Sequence, residues 1–190
     1  MNTFFAMISR MKYINRWGLM NNTKTENISE HSLEVAVLAH ALATIANTRF
    51  NDNVNADRAA VIAVFHDASE IITGDMPTPV KYYNPEIRDA YKEVEKVAEN
   101  KLLSMLPEDM QPAYKPVISN EDEELEKYVK AADKLSALIK CIEEVRMGNN
   151  EFLKAKESIE SALQQMDLPA LKVFTEEYLP AYYLTLDELG

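Results

Sequence analysis

Residues 27–46 read NISEHSLEVAVLAHALATIA, and their apolar positions recur with the period of an α-helix. Counting from His31, the residues Val35, Leu38, Leu42 and Ile45 follow at intervals of 4, 3, 4 and 3, which lines one face with aliphatic side chains and sets an imidazole at its head. Asn27 is a candidate N-cap, and Glu30 three residues on completes a capping-box pattern. The spacing predicts a long helix from Asn27 to about Ala46.

Other helices are expected on either side. Phe4, Ile8 and Met11 share a stripe within residues 3–13, and the polar residues 15–26 read as a loop. Asn55 or Asp57 caps a third helix that is expected to run through Ile72 and to close at Gly74 and the turn Asp75-Met76-Pro77-Thr78-Pro79. Pro85 behind Asn84 opens a fourth helix, which should end before Pro107. Residues 107–120, with Pro107, Pro112 and Pro116, read as a connection. A fifth helix is expected from Glu121 to Met147, led by acids that complement its N-terminal dipole and stopped at Gly148-Asn149-Asn150. Two shorter helices follow, at about 151–166 and 169–178. No repeat or second domain is visible, so the expectation is an all-α, single-domain bundle over residues 1–190.

Composition removes several function classes. The chain has 190 residues and only four glycines, Gly18, Gly74, Gly148 and Gly190, too far apart for a dinucleotide fingerprint, a P-loop or a serine-nucleophile elbow. Cys141 is the only cysteine, which excludes an intrachain disulfide and any zinc site built on paired cysteines, and fits a reducing cytoplasm. The longest apolar run, Ala59 to Phe65, is far short of the ~20 residues a membrane-spanning helix needs. No basic residue precedes the apolar cluster Phe4 to Ile8, so it does not read as a secretory signal. The formal net charge is −11, yet Arg10, Lys12, Arg16 and Lys24 meet no acid within residues 1–25. An acidic chain with one basic terminal segment disfavours binding to a nucleic-acid polymer and leaves room for a small anionic ligand held by a local cation.

The pair His66-Asp67 follows the most apolar helix segment. A His-Asp dipeptide arises by chance in about one such chain in six, so the pair carries weight only in context. Glu70 lies one turn beyond and would cover the same face of a continuous helix. His31 heads the apolar face of the second helix, and Asp133 stands between Ala131-Ala132 and Leu135 on the fifth. His40 sits on a different face and is set aside. Unpaired charge is costly in such surroundings, and a bound cation would relieve the cost. His31, His66, Asp67 and Asp133 make a ligand set for one divalent ion, suited to Co, Mn, Mg, Zn or Fe without selecting among them. Hydrogen bonding between neighbouring helices is the plainer alternative for each residue alone. Arg16-Trp17 joins a guanidinium that matches phosphate to a ring that can flank a base or sugar; a surface arginine beside a core tryptophan is the ordinary reading.

His31, His66-Asp67 and Asp133 resemble the H…HD…D signature of HD-domain phosphohydrolases. More narrowly, Asn15-Arg16-Trp17, Ser29-Glu30-His31-Ser32-Leu33, Phe65-His66-Asp67-Ala68-Ser69-Glu70, the segment from Thr73 to Tyr82 and Gly148-Asn149-Asn150-Glu151-Phe152 resemble the bacterial 5'-deoxynucleotidases of that superfamily. The resemblance implies an HD-type bundle with its metal site between core helices, a homodimer, and hydrolysis of deoxyribonucleoside 5'-monophosphates to deoxynucleoside and orthophosphate. It implies His31, His66, Asp67 and Asp133 as metal ligands, and Asp67, Glu70 and Arg16 as the catalytic groups, with Glu70 handling a proton or positioning water. It implies a substrate site bordered by Arg16, Trp17, His31, Asp67, Asp75, Met76, Pro77, Thr78 and Asp133. Rival readings are an HD enzyme acting on a nucleoside triphosphate, a cyclic nucleotide or an alarmone, and a non-catalytic helical interaction module.

Overall fold

Asn27 caps helix α2 (Ile28–Phe50) as its sequence predicts: its side chain accepts from the backbone N–H of Ser29 and Glu30, and Glu30 returns a bond to the Asn27 N–H. The computed structural model describes residues 1–81, 83–119 and 122–190. Before α2 lie α1 (Phe4–Ile8), a 3-10 turn (Ser9–Tyr13) and the loop 15–26, whose ends meet in a backbone bridge between Asn15 and Asn27. Helix α2 runs four residues past the expected end. Asn51 then terminates it in the left-handed region at φ 58°, while the Asn47 amide clamps Val54 through two 2.8 Å bonds.

The third helix departs from expectation. Asn55 caps α3 (Ala56–Phe65), but the α-helix stops there instead of continuing through Ile72. The His66 Nδ1 donates to the Ala63 carbonyl at 2.7 Å and occupies an acceptor that a continuing helix would use. Residues 66–69 form turns before the short helix α4 (Glu70–Thr73), closed by Gly74 at φ 76°. Next come α5 (Thr78–Lys81) and α6 (Pro85–Leu103), the latter capped by Asn84 with proline in its first turn. Tyr82, Asn120 and Glu121, which figured in the sequence reading, lie outside the described residues.

Residues 107–120 are not a bare linker. They contain α7 (Gln111–Ile118), with Pro112 in the first turn, where no backbone donor is needed, and Pro116 inside the helix. Burial of Val117 and Ile118 offsets the lost hydrogen bond. Helix α8 (Glu123–Arg146) is capped by Asp122, and α9 (Leu153–Gln164) and α10 (Pro169–Glu177) follow.

Among the described residues, three apolar clusters organise these elements, the smallest joining Met11, Ile28 and Ile71. The largest gathers Leu38 and Leu42 of α2, Ile62 of α3, Leu135, Leu138 and Ile139 of α8, and Leu171 and Phe174 of α10. The second joins Phe4 to Ala68, Leu102, Leu103, Leu106 and Ile118. Near the C-terminus, Phe174 of the core stacks on the half-exposed Tyr178. Sandwiching α2 between α3 and α8 turns the polar head of its apolar face toward the break after Phe65 and the middle of α8.

Candidate metal and phosphate site

Three helical segments deliver the expected ligand residues to one point. His31, 1% exposed, comes from the first turn of α2, His66 and Asp67 come from the break after α3, and Asp133 comes from α8. Ligand atoms of His31, His66 and Asp133 all lie within 4.8 Å of one another. The Asp67 Oδ2 stands 3.2 Å from His66 Nε2 and 3.5 Å from His31 Nε2, and Asp133 Oδ1 is 3.1 Å from His31 Nε2.

The protonation pattern suits a cation. A carbonyl only accepts, so His66 Nδ1 carries the proton it gives to Ala63, and a neutral ring then presents a lone pair at Nε2. That buried Nε2 has no hydrogen-bond partner among the described residues, although Asp67 Oδ2 stands 3.2 Å away. An orphaned imidazole nitrogen among two carboxylates and a second imidazole is the donor set of a divalent ion. Burial alone lowers the His66 pKa, but Asp67 more than reverses this and lifts it to about 8, so the carboxylates favour positive charge at this point, which an ion replacing the Nε2 proton would supply. Burial pushes Asp67 up, but His66, His31 and Arg16 hold it well below the usual carboxylate range.

Arg16 and Trp17 sit beside the cluster on the basic loop. The Arg16 guanidinium is shared between Glu26 (Nε to Oε2, 3.2 Å) and Asp67 (3.1 Å). The Trp17 indole N–H also donates to Glu26, at 2.9 Å, and its ring leans on Phe152. Trp17 adopts φ 60°, a left-handed conformation unusual for a large side chain, and Asp75 accepts from its backbone N–H at 3.2 Å. Asp75 thereby ties this loop to the proline turn after α4.

A cavity of about 510 Å³ opens next to the cluster, lined by Arg16, Trp17, Asp75, Pro77, Thr78 and Asp133, together with Lys134 and residues of α9. That volume suits a mononucleotide-sized ligand. Met76 is not among the lining residues, and His31 and Asp67 lie behind the wall, reaching the cavity through Asp133 and Arg16. Glu70 is buried with one carboxylate oxygen unpartnered. Burial, then the charges of Asp67 and Asp75, push its pKa up to about 10, so it is a neutral carboxyl that holds a proton at pH 7. Asp75 is likewise raised by burial, with Arg16 opposing.

Several contributors were not read from the sequence. Glu26 organises both Arg16 and Trp17 from the far end of their loop. Lys134 faces the cavity with no ion-pair partner among the described residues, and its position directly after Asp133 was the only available signal. Ser136 and Glu34 back His31 from the rear.

An all-helical bundle that gathers two histidines and two aspartates around one point, with an arginine and a cavity beside it, has the makeup of an HD-domain phosphohydrolase. Solved structures agree on the fold. An HD-domain phosphohydrolase from Listeria innocua superposes with a TM-score of 0.83 at 25% identity, covering 95% of this chain and 88% of that one. The cyanophage S-2L HD phosphohydrolase, solved with dA and one catalytic zinc ion, superposes with a TM-score of 0.69 at 20% identity, covering 95% and 96%. A family model described as 5'-deoxynucleotidase YfbR-like matches residues 3–182, and the chain belongs to that family. A 5'-deoxynucleotidase of Erwinia tasmaniensis is 53% identical over 98% of this chain and 96% of its own length. The chain is accordingly a hydrolase of phosphoric monoesters, a 5'-deoxynucleotidase.

Proposed function

We propose that the chain hydrolyses deoxyribonucleoside 5'-monophosphates to deoxynucleoside and orthophosphate, with His31, His66, Asp67 and Asp133 holding one divalent ion. The observation that carries this reading is the convergence of those four side chains beside a nucleotide-sized cavity walled by Arg16 and Trp17. When bound, such an ion lowers the pKa of a water and polarises a phosphoryl oxygen.

The protein's own groups do the rest. Arg16, fixed by Glu26 and Asp67, presents its guanidinium to the equatorial phosphate oxygens and balances their charge in the transition state. Glu70, buried next to the charges of Asp67 and Asp75 with one oxygen unpartnered, is the remaining carboxyl for a proton transfer or for positioning water. Trp17 flanks the nucleoside, and the segment Asp75–Thr78 borders the sugar, where a 2'-hydroxyl must find room or a partner. Relatives named 5'-deoxynucleotidase, 50–53% identical over 98% of this chain, support a deoxynucleotide substrate.

Residues 1–190 act as one unit. We further propose a homodimer in the cytoplasm. The exposed side chains Leu33 and Val37 of α2 and Val61 and Val64 of α3 lie on neighbouring helices, which also approach at His40–Asp57. This apolar strip supports pairing with a second copy. Buried, free Cys141 fits a reducing compartment. The net charge of −11 disfavours a nucleic-acid polymer, and no helix of the described residues is long and apolar enough to cross a membrane.

The test is orthophosphate release from matched deoxyribo- and ribonucleoside 5'-monophosphates with Co, Mn or Mg, and with a chelator as control. Chelator-sensitive release from the deoxy series alone is expected. Equal release from the ribo series would remove the sugar selectivity, and tripolyphosphate from a deoxynucleoside triphosphate would move the assignment to a triphosphohydrolase.

Lys134 adds a second cation, beside Arg16, to the cavity lining. Lys134→Ala is expected to raise KM about threefold, the scale of an exposed charge contact, with kcat unchanged. Added salt should erase the difference between the two proteins. A KM equal to the parent's at low ionic strength would remove Lys134 from substrate binding.

A further inference from the structure

The two histidines of the cluster are oriented from behind by different kinds of partner. His66 uses a backbone carbonyl, which fixes its tautomer without help from any side chain. His31 uses a side-chain relay. Its Nδ1 lies 2.9 Å from the Ser136 Oγ, and that hydroxyl donates to Glu34 Oε2 at 2.6 Å.

A serine hydroxyl has one proton. Since Ser136 gives it to Glu34, the oxygen meets His31 with a lone pair, and Nδ1 must bring the N–H to that contact. With Nδ1 holding its N–H, Nε2 is the nitrogen that can give a lone pair to a cation, in place of the proton it shares with Asp133 Oδ1 at 3.1 Å. The relay matters because that carboxylate pulls the other way and favours a proton on Nε2. A Ser136 hydroxyl released from Glu34 can rotate its proton onto Nδ1, which moves the ring proton to Nε2 and turns a ligand into a donor. Ser136 is fully buried, so no solvent competes for the contact. The spacing is economical as well. Glu34 is one turn beyond His31 on α2, and Ser136 is one turn beyond Asp133 on α8, so the helix pair that brings the ligands together also brings their support.

We propose that Ser136, held by Glu34, is a positioning residue that sets the tautomer of His31 and thereby the cation affinity of the cluster. This rests on the metal reading proposed above. The experiment measures dissociation constants of the full chain for Mn²⁺ and Co²⁺ by calorimetry, with melting in chelator as the fold control. Imidazole nitrogen NMR of His31 supplies a second readout that needs no metal.

Ser136→Ala is expected to weaken both ions by about 10- to 100-fold, with melting in chelator close to the parent's. Glu34→Ala should weaken them in the same direction, and the double variant should be no worse than Ser136→Ala, because both break one relay. Glu34→Gln keeps a carbonyl acceptor and should stay within about twofold of the parent, a rescue that a packing role would not produce. The His31 signals should shift from the Nδ1–H toward the Nε2–H form in the two alanine variants. Should Ser136→Ala fail to fold, the contrast between Glu34→Gln and Glu34→Ala decides. Parent-like affinity in the alanine variants of a parent that binds the ions overturns the inference alone. A parent that binds neither ion overturns the metal reading and the inference together.

Discussion

Asp67→Ala is expected to lower kcat/KM for a deoxyribonucleoside 5'-monophosphate by about 10³-fold or more and to strip the purified protein of its bound ion. The magnitude follows from how many groups this carboxylate serves. A single oxygen, Oδ2, lies 3.1 Å from the Arg16 guanidinium, 3.2 Å from His66 Nε2 and 3.5 Å from His31 Nε2. Its loss leaves three cationic or ligating groups crowded together without the charge that gathers them, and frees the Arg16 fork from its aim at the cavity. Elemental analysis beside steady-state kinetics checks both halves. A variant with parental turnover and metal content would show that the cluster is a structural polar core and not the reaction centre.

Glu144→Gln is expected to cost about 3 kcal/mol of stability at pH 7. Glu144 is fully buried and paired with Lys140, and its carboxylate also accepts from the backbone N–H of Thr23 at 2.9 Å and Lys24 at 3.1 Å and from the Asn149 amide at 2.8 Å. Lys140 in turn donates to the Lys24 carbonyl, and Asn149 to that of Asn21. This network fastens the loop that carries Arg16 and Trp17 to α8. A neutral amide leaves the Lys140 charge buried without its counterpart. The sign of the pH dependence follows. Burial raises the Glu144 pKa, but the bonds from Lys140, Asn149 and Thr23 more than reverse it and hold the group well below its ordinary 4.5. Its contribution is therefore complete above pH 4.5 and fades as the pH falls toward the folded value. Denaturant unfolding of parent and variant at pH 7, 5 and 3.5 should show a deficit that shrinks at the lowest pH. A deficit under 1 kcal/mol at pH 7, or one equal at every pH, would refute the account. A raised KM with little change in kcat is the expected functional mark of the loosened loop.

Much of the fold was legible because its signals are local. The Asn27–Glu30 capping box, the 4-3-4-3 spacing behind His31 and the Asn84-Pro85 start depend on residues within one helical segment, and all appear in the structure. The errors fell where a tertiary or side-chain contact overrode a local pattern. The apolar run through Phe65 promises a helix to Ile72, but the His66 side chain takes the Ala63 carbonyl and breaks it. Prolines in residues 107–120 suggest a linker, yet burial of Val117 and Ile118 recruits them into a helix.

By itself, the sequence determined an all-α bundle, three polar interruptions on apolar helix faces, and a residue chemistry that suits a divalent ion and a phosphate. Only the tertiary structure decided that those interruptions meet: His31 and Asp133 are separated by 102 residues, and Arg16 and Asp67 by 51. Packing of α2 between α3 and α8 sets those distances, and helical periodicity, which reports the direction of a face but not what it faces, carries no information about them. The roles of Glu26, Ser136, Glu34 and Lys134 belong to the same category. Each is an ordinary polar residue in the chain, and each acquires its place from a neighbour supplied by another part of the fold.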